Sequence, residues 1–143
     1  LPNGVLRVDK VSVPNPTSIR LGHYTLPEND GTPVKESTSA KVPGATIISN
    51  GEYSLAMVNL TDWNKTSVLH PEGIHPVSST CGLIMNEKQV QKEEVMVTLM
   101  LWKKGKKSFS KKELTPVKSI KVSDDKKSVE IVMADKTVKK VTF

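Results

Sequence analysis

Two of the three histidines, His70 and His75, stand five residues apart in one segment, and a proline follows each of them. A turn between them would bring both imidazoles to one point, where His23 could join them. Imidazole nitrogen is a common zinc ligand in proteins. The pattern therefore makes His23, His70 and His75 candidate metal ligands, with zinc as the cofactor. The alternative, that the two loop histidines only hydrogen-bond backbone groups in turns, stays open.

A second group of residues has the chemistry of sugar recognition. Trp63 stands between Asp62 and Asn64, and Tyr24 is the second aromatic candidate. A flat aromatic ring can stack on the apolar face of a sugar, and the neighbouring carboxylate and amide can hydrogen-bond hydroxyl groups. We predict that these four residues bind substrate, with Trp102 as a further aromatic candidate. The alternative is that Trp63 covers one end of the core.

Other chemistry finds little support in the sequence. The single cysteine, Cys81, excludes an internal disulfide and a cysteine-rich zinc site, and no Gly-x-Ser-x-Gly motif or phosphate-binding glycine loop is present. We therefore predict no catalytic residues for this chain. Two N-glycosylation sequons, at Asn59 and Asn64, have a meaning only in a secretory pathway that glycosylates asparagine.

The charge of the chain is concentrated at its C-terminal end. Residues 103–143 hold thirteen lysines and five acidic residues, a balance of +8, whereas residues 1–102 have a balance of −2. A polyanionic partner would therefore bind near the C-terminus, unless the lysines only keep sheet edges from pairing with other chains. Only two phenylalanines stand among these lysines, so the pattern does not favour nucleic acid.

The elements that must position these residues are strands. Nine prolines and eight glycines are scattered over 143 residues, and several short segments alternate between polar and apolar side chains. The Asn50-Gly51 pair predicts a hairpin between strands at 45–50 and 53–60. The second of these strands and the apolar run 94–102 are predicted to lie centrally in the core, and alternation also predicts a strand at 108–114. Residues 87–94 are predicted as a helical turn or an exposed loop.

The last part of the chain predicts a three-strand meander with two tight turns. The whole pattern predicts an all-β fold, an antiparallel β-sandwich of about ten strands, in one domain over residues 1–143. No run of eighteen apolar residues is present, so no membrane span is predicted. Because the chain begins at Leu1 without an initiator methionine, we expect it to be a fragment of a larger protein.

Two stretches carry a resemblance to a known group of proteins. They are IRLGHYTLP at 19–27 and the segment 57–76 with NLTDWN and LHPEGIHP. Here the chain resembles the C-terminal β-sandwich domains of secreted polysaccharide-degrading proteins of Bacteroidetes, and heparinase II/III-type lyases are the nearest named group. The resemblance implies an accessory domain, because the helical catalytic domain of that group has no counterpart here. It also implies a secreted or periplasmic location.

These observations lead to one main prediction and two alternatives. The main prediction is a non-catalytic accessory domain of an exported glycan-active protein, which supports the catalytic domain of the same parent protein and contacts acidic polysaccharide. The first alternative is a free-standing module that binds carbohydrate or protein. The second is a small metal-assisted hydrolase that uses His70 and His75.

Overall fold

The computed structural model describes residues 3–24, 35–38, 42–49, 53–69, 83–105 and 109–143. These residues contain eleven β-strands and one short helix. The first six strands are β1 (Gly4–Ser12), β2 (Thr17–Tyr24), β3 (Lys35–Thr38), β4 (Ala45–Ser49), β5 (Tyr53–Asn59) and β6 (Lys65–Leu69). The remaining elements are β7 (Leu83–Val90), β8 (Glu93–Lys104), α1 (Lys111–Leu114), β9 (Val117–Val122), β10 (Ser128–Met133) and β11 (Val138–Thr142).

The strands form three antiparallel sheets. The central sheet has the order β1-β8-β5-β4-β3, the lateral sheet has the order β2-β7-β6, and the C-terminal meander has the order β11-β10-β9. The predicted fold class, an antiparallel β-sandwich that ends in a three-strand meander, is confirmed. The predicted central positions of β5 and β8 are confirmed as well, because each of these strands pairs with a strand on both sides.

Three strands pass side by side from the central sheet into the lateral sheet. β1 continues into β2 through residues 13–16, β5 continues into β6 through residues 60–64, and β7 continues into β8 through residues 91 and 92. We call these three connections the corner. Across it the Val13 N–H donates to the Lys92 carbonyl at 2.8 Å. The two sheets are therefore halves of one folded sheet, a standard way for strands to turn from one layer to another.

The two faces of the central sheet are covered by different layers. On one face, Val95 and Val97 of β8 pack in one cluster with Val129 and Ile131 of the meander. Further along the same face, Leu99 and Leu101 pack with residues that include Phe109 and Leu114. On the opposite face, Met57 and Ile48 pack with Ile84 of the lateral sheet. This double coverage explains why β5 and β8 are apolar on both faces.

Local structure differs from the sequence prediction at two places. The predicted strand at 108–114 contains helix α1, whose Ser110 and Glu113 form a capping box, with each side chain bonded to the other residue's backbone N–H. The Ser-x-x-Glu spacing is a recognised helix-start signal, and it outweighs an alternation only a few residues long. The segment 87–94 is no helical turn, because β7 extends to Val90 through its pairing with β2 and β8 begins at Glu93.

Candidate binding surface

The corner holds three of the residues predicted to bind substrate. The Asp62 carbonyl accepts a hydrogen bond from Lys88 Nζ at 2.6 Å, and Asn64 Oδ1 accepts one from the Gln89 N–H at 2.7 Å. Trp63 is half-buried between them, and its indole Nε1 is buried without a hydrogen-bond partner in the described part of the chain. The contacts of Asp62 and Asn64 tie the connection between β5 and β6 to β7.

Tyr24 lies far from the corner. It pairs with Leu83 at one end of the β2–β7 ladder, whereas Thr17 pairs with Val90 at the corner end. Seven residues of extended chain separate the two ends, which corresponds to about 23 Å. The structure therefore does not bring Tyr24 and Trp63 to one site.

The predicted metal ligands are only partly described. His23 lies in β2 and pairs with Ile84, while His70 and His75 lie outside the described residues. Among the residues that the structure describes, no group of three or more histidine, cysteine, aspartate or glutamate side chains can hold a metal ion. The zinc site and the hydrolase therefore stay predictions.

A polar network centred on the buried Asn86 lies beneath the corner, and sequence reasoning missed it. Asn59 Nδ2 donates to Asn86 Oδ1 at 3.1 Å, Asn86 Nδ2 donates to Asn59 Oδ1 at 3.0 Å, and the Thr66 hydroxyl donates to Asn86 Oδ1 at 2.7 Å. Asn86 is fully buried. The network joins β5 of the central sheet to β6 and β7 of the lateral sheet. The network therefore holds the two halves of the folded sheet together.

The opposite end of the central sheet exposes an aromatic surface. Trp102 of β8 is 43% exposed, and it lies directly across from Leu55 of β5. Tyr53, 38% exposed, is a diagonal neighbour on β5, and Val5, 45% exposed, is a diagonal neighbour on β1. Lys104 pairs directly with Tyr53 and points to the same side of the sheet as Trp102. We call Val5, Tyr53, Trp102 and Lys104 the aromatic face.

Two consecutive lysines, Lys103 and Lys104, have different surroundings. Lys103 faces the meander side, where its ammonium group contacts the Glu113 carboxylate and lies 5.0 Å from the centre of the Phe109 ring. The hydrogen bond from Lys103, followed by those from the Ser110 N–H and hydroxyl, lowers the pKa of Glu113 to about 2. Lys104 is exposed on the aromatic side. Lys103 therefore stabilises helix α1, while Lys104 is available to contact a ligand.

Sequence reasoning included Trp102 among the aromatic candidates but missed its neighbours. The sequence places Tyr53 at the start of a predicted strand and gives no reason to connect it with Val5 or Lys104. Their shared location depends on the pairing of β8 with β1 and β5, which connects residues about 50 and 100 positions apart in the chain. Alternation within β8 was the available signal, since it places Trp102 and Lys104 on one side.

Comparison with known proteins did not identify a relative. No protein-family model, no curated protein and no solved structure matches the chain. The resemblance to sandwich domains of polysaccharide-degrading proteins therefore stays a prediction. Among the described residues, no helix is long and apolar enough to cross a membrane.

Proposed function

We propose that this chain is a non-catalytic module that binds acidic glycans through its aromatic face. The observation that carries the proposal is the exposed Trp102, which lies among Val5, Tyr53 and Lys104 on one side of the central sheet. A large exposed aromatic ring beside other apolar groups is unusual for a surface strand and typical of a recognition site.

The chemistry of this surface matches a charged sugar better than an apolar partner. The indole ring offers a flat apolar surface to the C–H face of a sugar ring, and its N–H can donate to a hydroxyl group. Lys104 can pair with a carboxylate or sulfate on the same sugar or its neighbour. A protein partner with an acidic, apolar surface is the second candidate, and it would use the same residues.

The charge distribution supports an anionic ligand. Lys104 is the last residue of β8, and the lysine-rich part of the chain begins there. Further exposed lysines, on the meander and helix α1, lie on the opposite side of the central sheet from the aromatic face; they include Lys111, Lys118, Lys121 and Lys140. A field of one sign attracts an oppositely charged polymer over distances up to the screening length of the solution. We expect this field to speed association and the aromatic face to hold the sugar.

The accessory role in a larger exported protein is part of the proposal. A module that holds an acidic polysaccharide next to a catalytic domain raises the effective concentration of substrate at that domain. Replacement of the module by an unrelated domain should then change the activity of the catalytic domain on long polymers. Its activity on short fragments, which cannot reach both sites, should stay the same.

Isothermal titration calorimetry with size-defined heparin oligosaccharides tests the proposal. Trp102→Ala should weaken binding at least about tenfold, since a buried aromatic contact commonly contributes more than about 1.4 kcal/mol. Phe143→Ala is the matched control, because Phe143 is 44% exposed and lies elsewhere, with Lys10 Nζ 5.7 Å from its ring centre. Binding by the unaltered chain should also weaken as salt is raised.

Two results would contradict the proposal. The first is an affinity within twofold of the unaltered chain for a Trp102→Ala variant that keeps its melting temperature. The second is equal binding of a neutral polysaccharide of the same length, which would leave the sugar-stacking role but remove the role of Lys104.

A further inference from the structure

The two N-glycosylation sequons differ in their structural surroundings. The first is Asn59-Leu60-Thr61, at the end of β5, and the second is Asn64-Lys65-Thr66, which leads from the corner into β6. The asparagine Nδ2 is the atom that receives the sugar, so the question is which Nδ2 can carry a bulky group in the folded domain.

The side-chain amide of Asn59 is committed to the polar network beneath the corner. Its Nδ2 donates one hydrogen bond to Thr66 Oγ1 at 3.0 Å and another to Asn86 Oδ1 at 3.1 Å, so both amide hydrogens are used. Asn86 is fully buried. A sugar on Asn59 Nδ2 would replace one of these hydrogens and push apart the central and lateral sheets. In the same sequon, Thr61 Oγ1 accepts the Val97 N–H at 3.0 Å.

Asn64 has the opposite arrangement. Asn64 is exposed, and its Oδ1 accepts a hydrogen bond from the Gln89 N–H at 2.7 Å. In the described part of the chain, no hydrogen bond involves Asn64 Nδ2. A glycan on Nδ2 leaves Oδ1 able to accept the Gln89 N–H.

We propose that Asn64 is an acceptor for an N-linked glycan in the folded protein, and that a chain glycosylated on Asn59 cannot complete the fold. In the transfer, the Asn64 nitrogen bonds to the anomeric carbon of a lipid-linked oligosaccharide, while the bond from that carbon to the pyrophosphate oxygen breaks. The nitrogen loses one proton, and the lipid pyrophosphate leaves with the electron pair of the broken bond. In the folded domain the hydroxyl group of this sequon, Thr66 Oγ1, donates to Asn86 Oδ1. The transferase must therefore recognise the sequon before β6 pairs with β7.

The glycan site is separate from the aromatic face. Asn64 belongs to the corner, and Trp102 lies nine residues along β8 from Glu93 at the corner end of that strand, a distance of about 30 Å. The proposal therefore does not depend on glycan binding by Trp102, and the two can fail separately.

The test is expression of the whole 143-residue chain behind a secretion signal in a eukaryotic host, followed by peptide mass mapping of the secreted protein. We expect one glycan, on Asn64, and loss of that glycan's mass in Asn64→Asp. This variant is the sharp control, because the carboxylate can still accept the Gln89 N–H and preserve the corner. Its melting temperature should stay close to that of the enzymatically deglycosylated chain.

Two results would overturn the proposal. One is secreted, folded protein that carries a glycan on Asn59, alone or together with Asn64. The other is secreted protein with Asn64 unmodified in a host that glycosylates a control sequon fused to the same chain.

Discussion

The two tryptophans of this chain occupy opposite ends of the central sheet and have opposite relations to solvent. Trp63 stands in a connection between strands, yet it is half-buried and its Nε1 is enclosed. Trp102 stands in the longest strand, yet 43% of it is exposed. The difference shows that exposure follows the layers of the fold. Trp63 lies in the corner, where the two sheets meet, whereas Trp102 lies near the end of β8, away from the corner.

The corner therefore has a structural role, and the aromatic face has a role in recognition. Beneath the corner, the side chains of Asn59, Thr66 and Asn86 bond to one another. At the aromatic face, exposed rings lie beside an exposed lysine. Substitutions at the corner should therefore change stability, while substitutions at the aromatic face should change binding.

The largest effect on stability is expected for Asn86→Ala. The substitution leaves the Asn59 amide and the Thr66 hydroxyl without their shared partner and opens a small cavity, which together should lower the free energy of unfolding by about 3 kcal/mol. Urea unfolding measures this change, and Gln89→Ala, at an exposed position on the same strand, is the control. A loss below about 1 kcal/mol would show that the network does not hold the two sheets together.

Replacement of each tryptophan by alanine tests whether Trp63 contributes more to stability than Trp102 does. Trp63→Ala should lower the free energy of unfolding by about 2 kcal/mol, less than for a fully buried tryptophan. Trp102→Ala should change it by less than about 0.5 kcal/mol, because the ring is largely in solvent. Thermal or urea unfolding of both variants gives the two values. Equal losses would remove the distinction between a structural and a recognition tryptophan.

Thr98→Val should stabilise the protein by up to about 1 kcal/mol. Thr98 is fully buried, lies across from Asn59 in the β5–β8 ladder, and its hydroxyl has no hydrogen-bond partner among the described residues. Replacement of an unpaired buried hydroxyl by a methyl group of similar size removes a desolvation penalty. Urea unfolding should show the gain, while a clear loss would indicate that the hydroxyl has a partner, such as an internal water.

The smallest effect concerns the two adjacent lysines and the titration of Glu113. Because the pKa of Glu113 is lowered to about 2, its bonds to Lys103 and Ser110 are fully present above the ordinary value of 4.5 and are lost as the pH falls through about 2. Carboxyl NMR should therefore show Glu113 still ionised at pH 3. Lys103→Met should raise the pKa of Glu113, whereas Lys104→Met should leave it unchanged. A native Glu113 that titrates near 4.5 would contradict this account of helix α1.

Strand patterning made much of the fold predictable from sequence. Alternation in β8 and β10, and the Asn-Gly pair between β4 and β5, predicted strands that the structure confirms. Helix α1 was missed although Ser110 and Glu113 have the spacing of a capping box. A four-residue helix is too short to show a periodic apolar stripe, so this local signal was the only one available.

The sites were less predictable because they depend on contacts between distant residues. Trp63 looked accessible because loops commonly lie on the surface, but it is half-buried in the corner. Nothing in the sequence connects Asn86 with Thr66, and only the pairing of β7 with β6 brings the two residues together. Register across strands decides which face each side chain occupies, and an isolated sequence does not specify it.

The most direct test of the central claim is a titration followed by the indole N–H signals of the two tryptophans in a proton–nitrogen correlation spectrum. Trp102→Phe assigns the two signals, since one of them disappears in that variant. On addition of a heparin oligosaccharide, we predict that the Trp102 signal shifts progressively until binding is saturated, while the Trp63 signal stays in place. A shift of the Trp63 signal alone, or no shift of either signal at saturating ligand, would contradict the assignment of glycan binding to the aromatic face.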